Sequence, residues 1–307
     1  MYKRQAQEEG LEILLLEMGA SAPGEIGRLA ALVEPEVGCV TNVAPVHLEG
    51  FGTVEEVLRT KAALLQALPS RGCAVLPADD PRYPELAARA RAGRRLRFGR
   101  SEDAELRLEI CEQTADGLRV RIAGVEVVLP LFGLANGLNA AAACALALAL
   151  DEPVEASLPR LAAATLSPHR SSLNRVEGRL ILDDCYNANP ASMIQALESL
   201  AHLPAEGRKV AVLGRMAELG GLSPALHAEV VQKARALGLD DLLPVGEEMR
   251  AALGQDPVGE EDLESLGRSL ARRLSPGDAV LFKGSRSVGL ERALDAMVRE
   301  LRSEGGA

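Results

Sequence analysis

The sequence predicts an α/β protein built from two units, each with its own mostly parallel sheet. Short apolar runs alternate with stretches of helical period along most of the 307 residues, which is the pattern of strands joined by covering helices. The segment Ser167-Pro168-His169 interrupts this pattern, and a second alternation begins after it. We therefore expect a first unit over residues 1–170 and a second over residues 171–307.

The first unit should be a parallel sheet covered on both faces, with an antiparallel extension. Alternating strands and helices imply the parallel part. Asp116-Gly117 is a strong hairpin signal between two apolar runs, and it predicts the antiparallel part. The predicted elements are, in order, strand 11–18, helix 24–33, strand 37–43, helix 54–68, strand 73–77, helix 83–92, strands 95–98, 105–113 and 118–130, and helices 137–150 and 154–165.

The second unit is predicted to be a smaller Rossmann-like domain, because strands and helices again alternate along it. The predicted elements are, in order, strand 179–184, helix 190–202, strand 209–213, helix 223–237, strand 241–245, helices near 247–253 and 260–273, strand 278–282 and helix 289–301.

Composition is that of a soluble globular protein, with 47% hydrophobic and 25% charged residues. The net charge of -10 provides no broad basic face, so nucleic acid is not expected as a partner. No signal peptide opens the sequence, and its most apolar stretch, residues 140–150, is too short to cross a bilayer. The five cysteines are widely spaced and odd in number, which favours buried, reduced thiols. We expect a cytoplasmic protein without membrane insertion.

Two polar residues follow apolar runs near the start of the chain. Glu17 follows Leu14-Leu15-Leu16, and His47 lies in the run from Val40 to Gly52. Polar side chains at the carboxyl ends of such strands mark the edge where open α/β sheets bind ligands. A cap of a turn for Glu17, and a hydrogen-bonded loop histidine for His47, are the simpler interpretations. Lys61, on a helix predicted to begin beside the same edge, favours a functional site.

The pattern resembles the ATP-dependent Mur ligases, which build the peptide stem of bacterial peptidoglycan. The resemblance spans about residues 11–301 and rests on five segments in the family's order. These are Glu-Met-Gly-Ala at 17–20, the run 42–51 that ends in His-Leu-Glu-Gly-Phe, and residues 182–193, 212–220 and 283–287. Within the family, His-Leu-Glu-Gly-Phe and Tyr-Asn-Ala-Asn-Pro at 186–190 are similar to the ligases that add D-alanyl-D-alanine.

The resemblance implies an enzyme that uses ATP to join D-alanyl-D-alanine to UDP-N-acetylmuramoyl-tripeptide through an acyl phosphate. Two other interpretations remain open: a non-catalytic binding module derived from a Mur ligase, and another Mur or folylpolyglutamate synthase-like ligase. The resemblance to the Mur ligases also implies that the first unit is part of the family's central ATPase domain.

The implied catalytic residues are Glu17, His47 and Lys61, which would together hold Mg2+. By resemblance, Lys61 would be a carbamate, which turns a cation into an oxygen ligand of the kind that Mg2+ prefers. Carbamate formation needs a neutral, desolvated amine with a lowered pKa. The alternative for Lys61 is an exposed helical lysine.

Four residues match positions that contact ATP in the family. Asn136 and Asn139 would approach the nucleotide from a helix start, and an ordinary N-cap is the simpler interpretation of Asn136. Arg170 matches an arginine that reaches phosphate, a role suited to a planar, permanently charged group. Asp184 matches an aspartate that binds the ribose, and its simpler interpretation is a helix cap.

Five residues of the second unit match the region that receives D-alanyl-D-alanine and makes domain-closing contacts. Lys283 and Arg286 would supply charge for the dipeptide carboxylate. Arg215 stands where the family has an acidic residue, which reverses a local charge. The implied acceptor residues are Asn187, Asn189, Lys283, Ser285 and Arg286.

The sequence contains no G-x-x-x-x-G-K-[ST] segment, the loop whose backbone N–H groups and lysine bind nucleotide phosphates. In the Mur ligases this loop precedes the Glu-Met-Gly-Ala strand. We therefore expect the sequence to be a fragment in which Met1 is not the natural start. A short protein that has lost phosphate binding is the alternative.

Overall fold

The computed structural model describes residue 10 and residues 12–114, 116–163, 167–255 and 262–305. Within them the chain forms a six-stranded sheet followed by a five-stranded sheet, and helices pack on both. The predicted α/β class is confirmed.

The six strands of the first sheet lie side by side in sequence order. The first four are parallel, and the last three form antiparallel pairs, as predicted for the extension. The strands are β1 (Val37–Cys39), β2 (Cys73–Pro77), β3 (Arg94–Gly99), β4 (Leu106–Thr114), β5 (Gly117–Ile122) and β6 (Val125–Leu129). The accompanying helices are α1 (Glu25–Val33), α2 (Leu48–Phe51), α3 (Val54–Ala67), α4 (Tyr83–Arg89), α5 (Gly133–Ala149) and α6 (Val154–Arg160).

Strand β2 is buried along its whole length and separates two apolar clusters. Cys73 and Val75 join the cluster that includes α5, whereas Ala74 and Leu76 join the cluster that includes α3. Successive side chains of a strand point to opposite faces, so an unbroken apolar run is what a strand covered on both faces requires.

The second sheet has the order β10-β9-β11-β8-β7. All pairs are parallel except β7 with β8. The strands are β7 (Ser172–Val176), β8 (Arg179–Asp184), β9 (Lys209–Gly214), β10 (Asp241–Val245) and β11 (Ala279–Lys283). The helices are α7 (Pro190–His202), α8 (Ser223–Ala236), α9 (Glu247–Leu253), α10 (Leu263–Arg273) and α11 (Glu291–Gly305).

The predicted strand 11–18 is wrong for the residues that the structure describes. Residues 12–18 pair with no described strand, and Leu14 and Leu15 are 60% and 78% exposed. An apolar run becomes a strand only where a neighbouring strand satisfies its backbone. Residue 11 lies outside the described residues.

Other boundaries differ for local reasons. The predicted strand 118–130 is two strands, because Ala123 and Gly124, with φ of 49° and 86°, turn the chain back into a second hairpin. The predicted strand 37–43 ends at Cys39, and the short antiparallel strand β7 was not predicted. Helix α6 ends at Arg160 in a short 3-10 turn. The last two residues of predicted helix 154–165, and the first two of predicted helix 260–273, lie outside the described residues.

The cysteines form no disulfide in the structure. Cys73, Cys144 and Cys185 are buried and Cys39 is half-buried, but Cys111 is exposed on β4, which corrects the prediction of buried thiols. Within the described residues, no helix combines the length and the apolar composition needed to cross a membrane.

The two units pack against each other at the start of α5. Phe132 lies in the apolar cluster of the second unit, beside α7 residues such as Leu197. Gln113 joins both units, because its side chain accepts from Gly133 N at 3.2 Å and donates to Ser199 O at 3.4 Å. These contacts fix the position of the α5 start, where two of the expected nucleotide residues lie.

Alanine should have opposite effects on stability at two helical glycines, Gly267 in the middle of α10 and Gly27 in the first turn of α1. In Gly267→Ala the new Cβ would lie 2.1 Å from the Ala293 carbonyl oxygen, so α10 and α11 must separate. We expect a loss of about 1–3 kcal/mol of unfolding free energy. In Gly27→Ala the nearest atom is 3.7 Å away, and helix propensity should add about 0.5–1 kcal/mol. Denaturant unfolding followed by circular dichroism measures both, and equal effects would contradict the close packing of α10 on α11.

Candidate functional site

Lys61 lies against the carboxyl end of β1. Its ammonium group donates to the Asn42 carbonyl oxygen at 2.7 Å and to the Asn42 side chain at 3.3 Å. Burial lowers the pKa of Lys61, and the negative charge of Asp80 partly opposes that shift. A lowered pKa increases the neutral fraction of the amine, which is the form that reacts with carbon dioxide.

Asp80 organises this edge of the first sheet. It follows β2, and its carboxylate accepts from Val43 N at 2.8 Å and from Arg82 N at 2.9 Å. These bonds hold the segment after β1 beside the segment after β2. Asp80 was not among the predicted site residues.

His47 makes a contact between the two units. It has a left-handed backbone, with φ of 49°, immediately before α2. Its Nδ1 is bonded to the carboxylate of Glu218, which follows β9 of the second unit. Glu49 N also donates to the Glu218 carbonyl oxygen at 3.4 Å. The segment His-Leu-Glu-Gly-Phe therefore touches the loop that follows β9.

Glu17 is exposed, and it makes no hydrogen bond or ion pair with another described residue. The structure thus does not link it to His47 or Lys61 by any polar contact within the described residues. Its role as a metal ligand stays a prediction.

Asn136 and Asn139 lie in the first turns of α5. Asn136 is 7% exposed and donates to Phe132 O at 2.9 Å, and Asn139 donates to Asn136 at 3.4 Å. Because α5 begins at Gly133, the interpretation of Asn136 as the N-cap is wrong. Asn139 is exposed, so its side chain can reach a ligand.

Lys283 and Asp184 form a buried ion pair at the carboxyl edge of the second sheet. They are register partners on β11 and β8, and Lys283 Nζ lies 3.0 Å from Asp184 Oδ2. The side chain of Lys283 is only 3% exposed. Its other bonds go to the carbonyl oxygens of Asp184, at 3.2 Å, and Asn187, at 2.5 Å. An ammonium group has three donors, so this lysine holds the β8 loop and has none left for a ligand.

Ser285 joins three loops at the same edge. Its hydroxyl accepts from Ala217 N at 2.8 Å and lies 3.5 Å from Ala188 O, and its backbone N–H donates to Arg215 O. The loops after β8, β9 and β11 are therefore fixed together. The side chain of Arg215 lies 3.5 Å from that of Glu248. The Glu248 carboxylate therefore offsets the positive charge of the arginine at this position.

The remaining acceptor residues differ in exposure. Asn189 caps α7 in a reciprocal pair of bonds with Ser192. Asn187 is exposed beside it. The side chain of Arg286 is 58% exposed and pairs with Glu291 at 2.9 Å. Asn187 and Arg286 are thus the two that present polar atoms to solvent at this edge.

Arg170 lies on the linker, and its guanidinium stacks 4.1 Å from the centre of the Tyr186 ring. The next residue, Ser171, donates its backbone N–H to Asp184 at 2.9 Å. Burial raises the pKa of Asp184, and Lys283 and this N–H oppose that shift. The linker, Asp184 and Lys283 thus form one connected group.

His227 is fully buried, and both of its ring nitrogens are hydrogen-bonded within the protein. Its Nε2 accepts from Met216 N at 2.9 Å, and its Nδ1 is 2.8 Å from Ser223 O. One nitrogen accepts and the other donates, which fixes a neutral tautomer. Burial lowers the pKa of His227 accordingly.

Sequence reasoning missed three residues of the two edges: Asp80, Glu218 and Ser171. Asp80 had a usable signal, since Asp79-Asp80 follows a buried strand at the edge where ligands bind. Glu218 and Ser171 had none, because one acts through a contact between units and the other through its backbone N–H.

The chain is similar to known proteins along most of its length. Residues 2–147 match the Mur ligase middle domain, and residues 169–286 match the Mur ligase glutamate ligase domain. The chain is 33% identical over 301 residues to UDP-N-acetylmuramoyl-tripeptide--D-alanyl-D-alanine ligase of Escherichia coli, and 35% identical over 322 aligned residues to the ligase of the same name from Mycobacterium tuberculosis. The alignments cover 95% and 94% of this chain but 65% and 63% of those proteins, which is less than two thirds of their length.

A solved structure of a member of the same family is also similar to this chain. The MurF ligase of Thermotoga maritima in complex with ADP is 30% identical and superposes with a TM-score of 0.85, covering 97% of this chain and 70% of that one. The predicted resemblance is thus confirmed: the chain belongs to the Mur ligase family and contains the family's middle domain followed by its glutamate ligase domain.

Proposed function

We propose that this chain forms part of an ATP-dependent ligase that joins D-alanyl-D-alanine to UDP-N-acetylmuramoyl-tripeptide in peptidoglycan synthesis. One observation carries the proposal: charged and polar side chains lie at the carboxyl edges of both sheets, and His47 with Glu218 joins the two edges. The named relatives described above support this choice of substrates.

Nucleotide binding is assigned to Asn136, Asn139, Arg170 and Asp184. Arg170 supports this role because its guanidinium is exposed and already oriented by the Tyr186 ring. The carboxylate of Asp184 is held by Lys283 and Ser171 at a strand end, which suits hydrogen bonding to a ribose hydroxyl. The relative solved with ADP supports a nucleotide at this family's site.

Magnesium is proposed as the ion that accompanies ATP, with Glu17, His47 and carbamylated Lys61 as its protein ligands. The described geometry does not yet form such a site. Glu17 has no polar partner among the described residues, the His47 imidazole is bonded to Glu218, and the Lys61 amine is bonded to Asn42. We therefore derive no catalytic step through the ion.

The chemistry has two steps. The terminal phosphoryl group of ATP passes to the carboxylate of the tripeptide, giving ADP and an acyl phosphate. The amine of D-alanyl-D-alanine then attacks the acyl carbon, inorganic phosphate leaves, and the amine loses a proton. Cationic groups placed in advance lower the cost of the charge that develops. Arg170 is an exposed cation next to Ser171, whose backbone N–H donates to the proposed ribose contact, Asp184.

The acceptor dipeptide is assigned to the loops after β8 and β11. Arg286 and Asn187 contact it directly in this proposal, because both are exposed. Lys283, Ser285 and Asn189 position those loops, because their polar atoms are used in contacts within the protein.

Dipeptide binding tests this assignment on the chain itself. Titration calorimetry with D-alanyl-D-alanine should show binding that Arg286→Ala weakens about tenfold or more, since a hydrogen bond to a charged group contributes about 1.5–3 kcal/mol. Arg292→Ala is the matched control, because Arg292 is an exposed arginine of neighbouring α11 without an ion pair among the described residues. L-alanyl-L-alanine should bind more weakly. Equal loss in both variants would contradict the assigned acceptor site.

A further inference from the structure

A second cluster of ligating side chains lies where the linker meets β8. His169, Asp183 and Cys185 each offer one ligand atom, and the three atoms lie within 4.8 Å of one another. His169 Nδ1 is 2.9 Å from Asp183 Oδ2, and Cys185 Sγ is 3.1 Å from Asp183 Oδ1. Among the described residues, this is the one group of three or more histidine, cysteine and acidic side chains that converges in this way.

The backbone holds these side chains in place independently of their mutual bonds. His169 has a left-handed backbone, with φ of 62°, and its carbonyl oxygen accepts from Tyr186 N at 2.9 Å. Ser171, also left-handed at φ of 47°, is fixed by its bond to Asp184. A non-glycine residue with such a backbone costs free energy and persists where surrounding contacts determine it. The backbone position of His169 is thus set by the fold.

We propose that His169, Asp183 and Cys185 bind a divalent transition-metal ion of the zinc type, which fastens the linker to the second unit. A nitrogen, an oxygen and a sulfur ligand form a donor set typical of zinc, whereas magnesium takes oxygen ligands. Tetrahedral zinc ligands lie about 2.0–2.3 Å from the ion, and so about 3–4 Å from one another. The present spacing therefore needs only small adjustments.

The charges of the three ligands match those of a divalent ion once the thiol has lost its proton. The Cys185 thiol donates to Asp183 at 3.1 Å. Binding breaks the S–H bond, forms a metal–sulfur bond and releases one proton to solvent. One thiolate, one carboxylate and a neutral imidazole then balance the two positive charges of the ion, which lowers the cost of burying them.

Among the three side chains of this cluster, that of His169 is the most exposed to solvent. Asp183 and Cys185 are buried, whereas the His169 side chain is 28% exposed, so the ion would enter beside the imidazole. A water molecule would supply the fourth ligand. The three residues are separate from Glu17, His47 and Lys61, so this site is distinct from the proposed magnesium ligands.

Cobalt binding tests the proposal on the full chain after treatment with a chelator. One equivalent of Co2+ should give a thiolate-to-cobalt absorption band in the near ultraviolet with the visible bands of tetrahedral cobalt, and Zn2+ should displace it. Zn2+ should also raise the midpoint of thermal unfolding. Both signals should fall with Cys185→Ala and with His169→Gly, the affinity dropping at least tenfold.

The variants are matched to their controls. Glycine accepts a positive φ, so His169→Gly removes the ligand without backbone strain. Cys111→Ala and His202→Ala remove an exposed thiol and an exposed imidazole elsewhere, and should leave cobalt binding unchanged. Absence of the thiolate band in the unaltered chain would overturn the proposal. Retention of that band in both His169→Gly and Cys185→Ala would also overturn it.

Discussion

The Lys61→Ala variant is expected to lose ligase activity by on the order of 100-fold or more, the scale seen when one preorganised electrostatic group is removed from an active site. Burial lowers the pKa of Lys61, and its amine lies at the carboxyl edge of the first sheet beside Asn42. A carbamate at this position would carry negative charge. Added short carboxylic acids should therefore restore part of the lost activity.

Phosphate release is measured with and without added acetate, in a form of the protein that has ligase activity. Lys233→Ala is the control, since Lys233 is a helical lysine of the second unit paired with Glu198. Full activity of Lys61→Ala would remove Lys61 from the mechanism. Loss without rescue would assign it the structural role of holding Asn42.

The Lys283→Met variant is expected to lose about 3–5 kcal/mol of unfolding free energy, because it leaves the Asp184 carboxylate buried without its charged partner. The carbonyl oxygens of Asp184 and Asn187 also lose a donor. Adding Asp184→Asn should recover part of the loss. Lys209→Met is the control, because Lys209 donates to the Ala201 carbonyl oxygen and has no ion pair with another described residue. We expect this variant to lose about 1 kcal/mol.

The loss should also depend on pH in a defined direction. The pKa of Asp184 is raised in the folded protein by burial, and removing Lys283 raises it further. The folded state then binds a proton more tightly than the unfolded state, so stability decreases as pH rises from the unfolded pKa through the folded one. The difference between Lys283→Met and the unaltered chain should be larger at about pH 8 than at about pH 5. The opposite trend would contradict the buried pair.

Four strands of the second sheet were predictable because each is a short apolar run followed by a helix, and β8, α7 and β10 begin and end where the pattern places them. Strand β7 was not predictable in this way, because its sequence Ser-Leu-Asn-Arg-Val is mostly polar. Strand 11–18 failed for the opposite reason: its composition is that of a buried strand, but strand formation depends on a partner, which local composition does not encode. The hairpin at Ala123-Gly124 was missed because Ala-Gly is a weaker turn signal than Asp-Gly.

Candidate site residues could be predicted where they lie at the ends of strands. Their contacts could not be predicted where the contacting residues are far apart in sequence. Asp184 and Lys283 were found by position in motifs, but their pairing joins strands far apart in sequence. That pairing changes the expected role of Lys283 from contacting the dipeptide to positioning a loop. The bond of His47 to Glu218 depends on how the two units pack against each other. The periodicity of apolar residues in the sequence does not indicate that packing.

The most direct test of the proposed ligase is an assay with ATP, UDP-N-acetylmuramoyl-tripeptide and D-alanyl-D-alanine. Phosphate release and the mass of the product would be measured for this chain and for the chain extended upstream to include a phosphate-binding loop. We expect the extended form to give a pentapeptide product, and this chain alone to bind ATP weakly and to release little phosphate. Dipeptide binding without product in either form would contradict the ligase and favour a binding module.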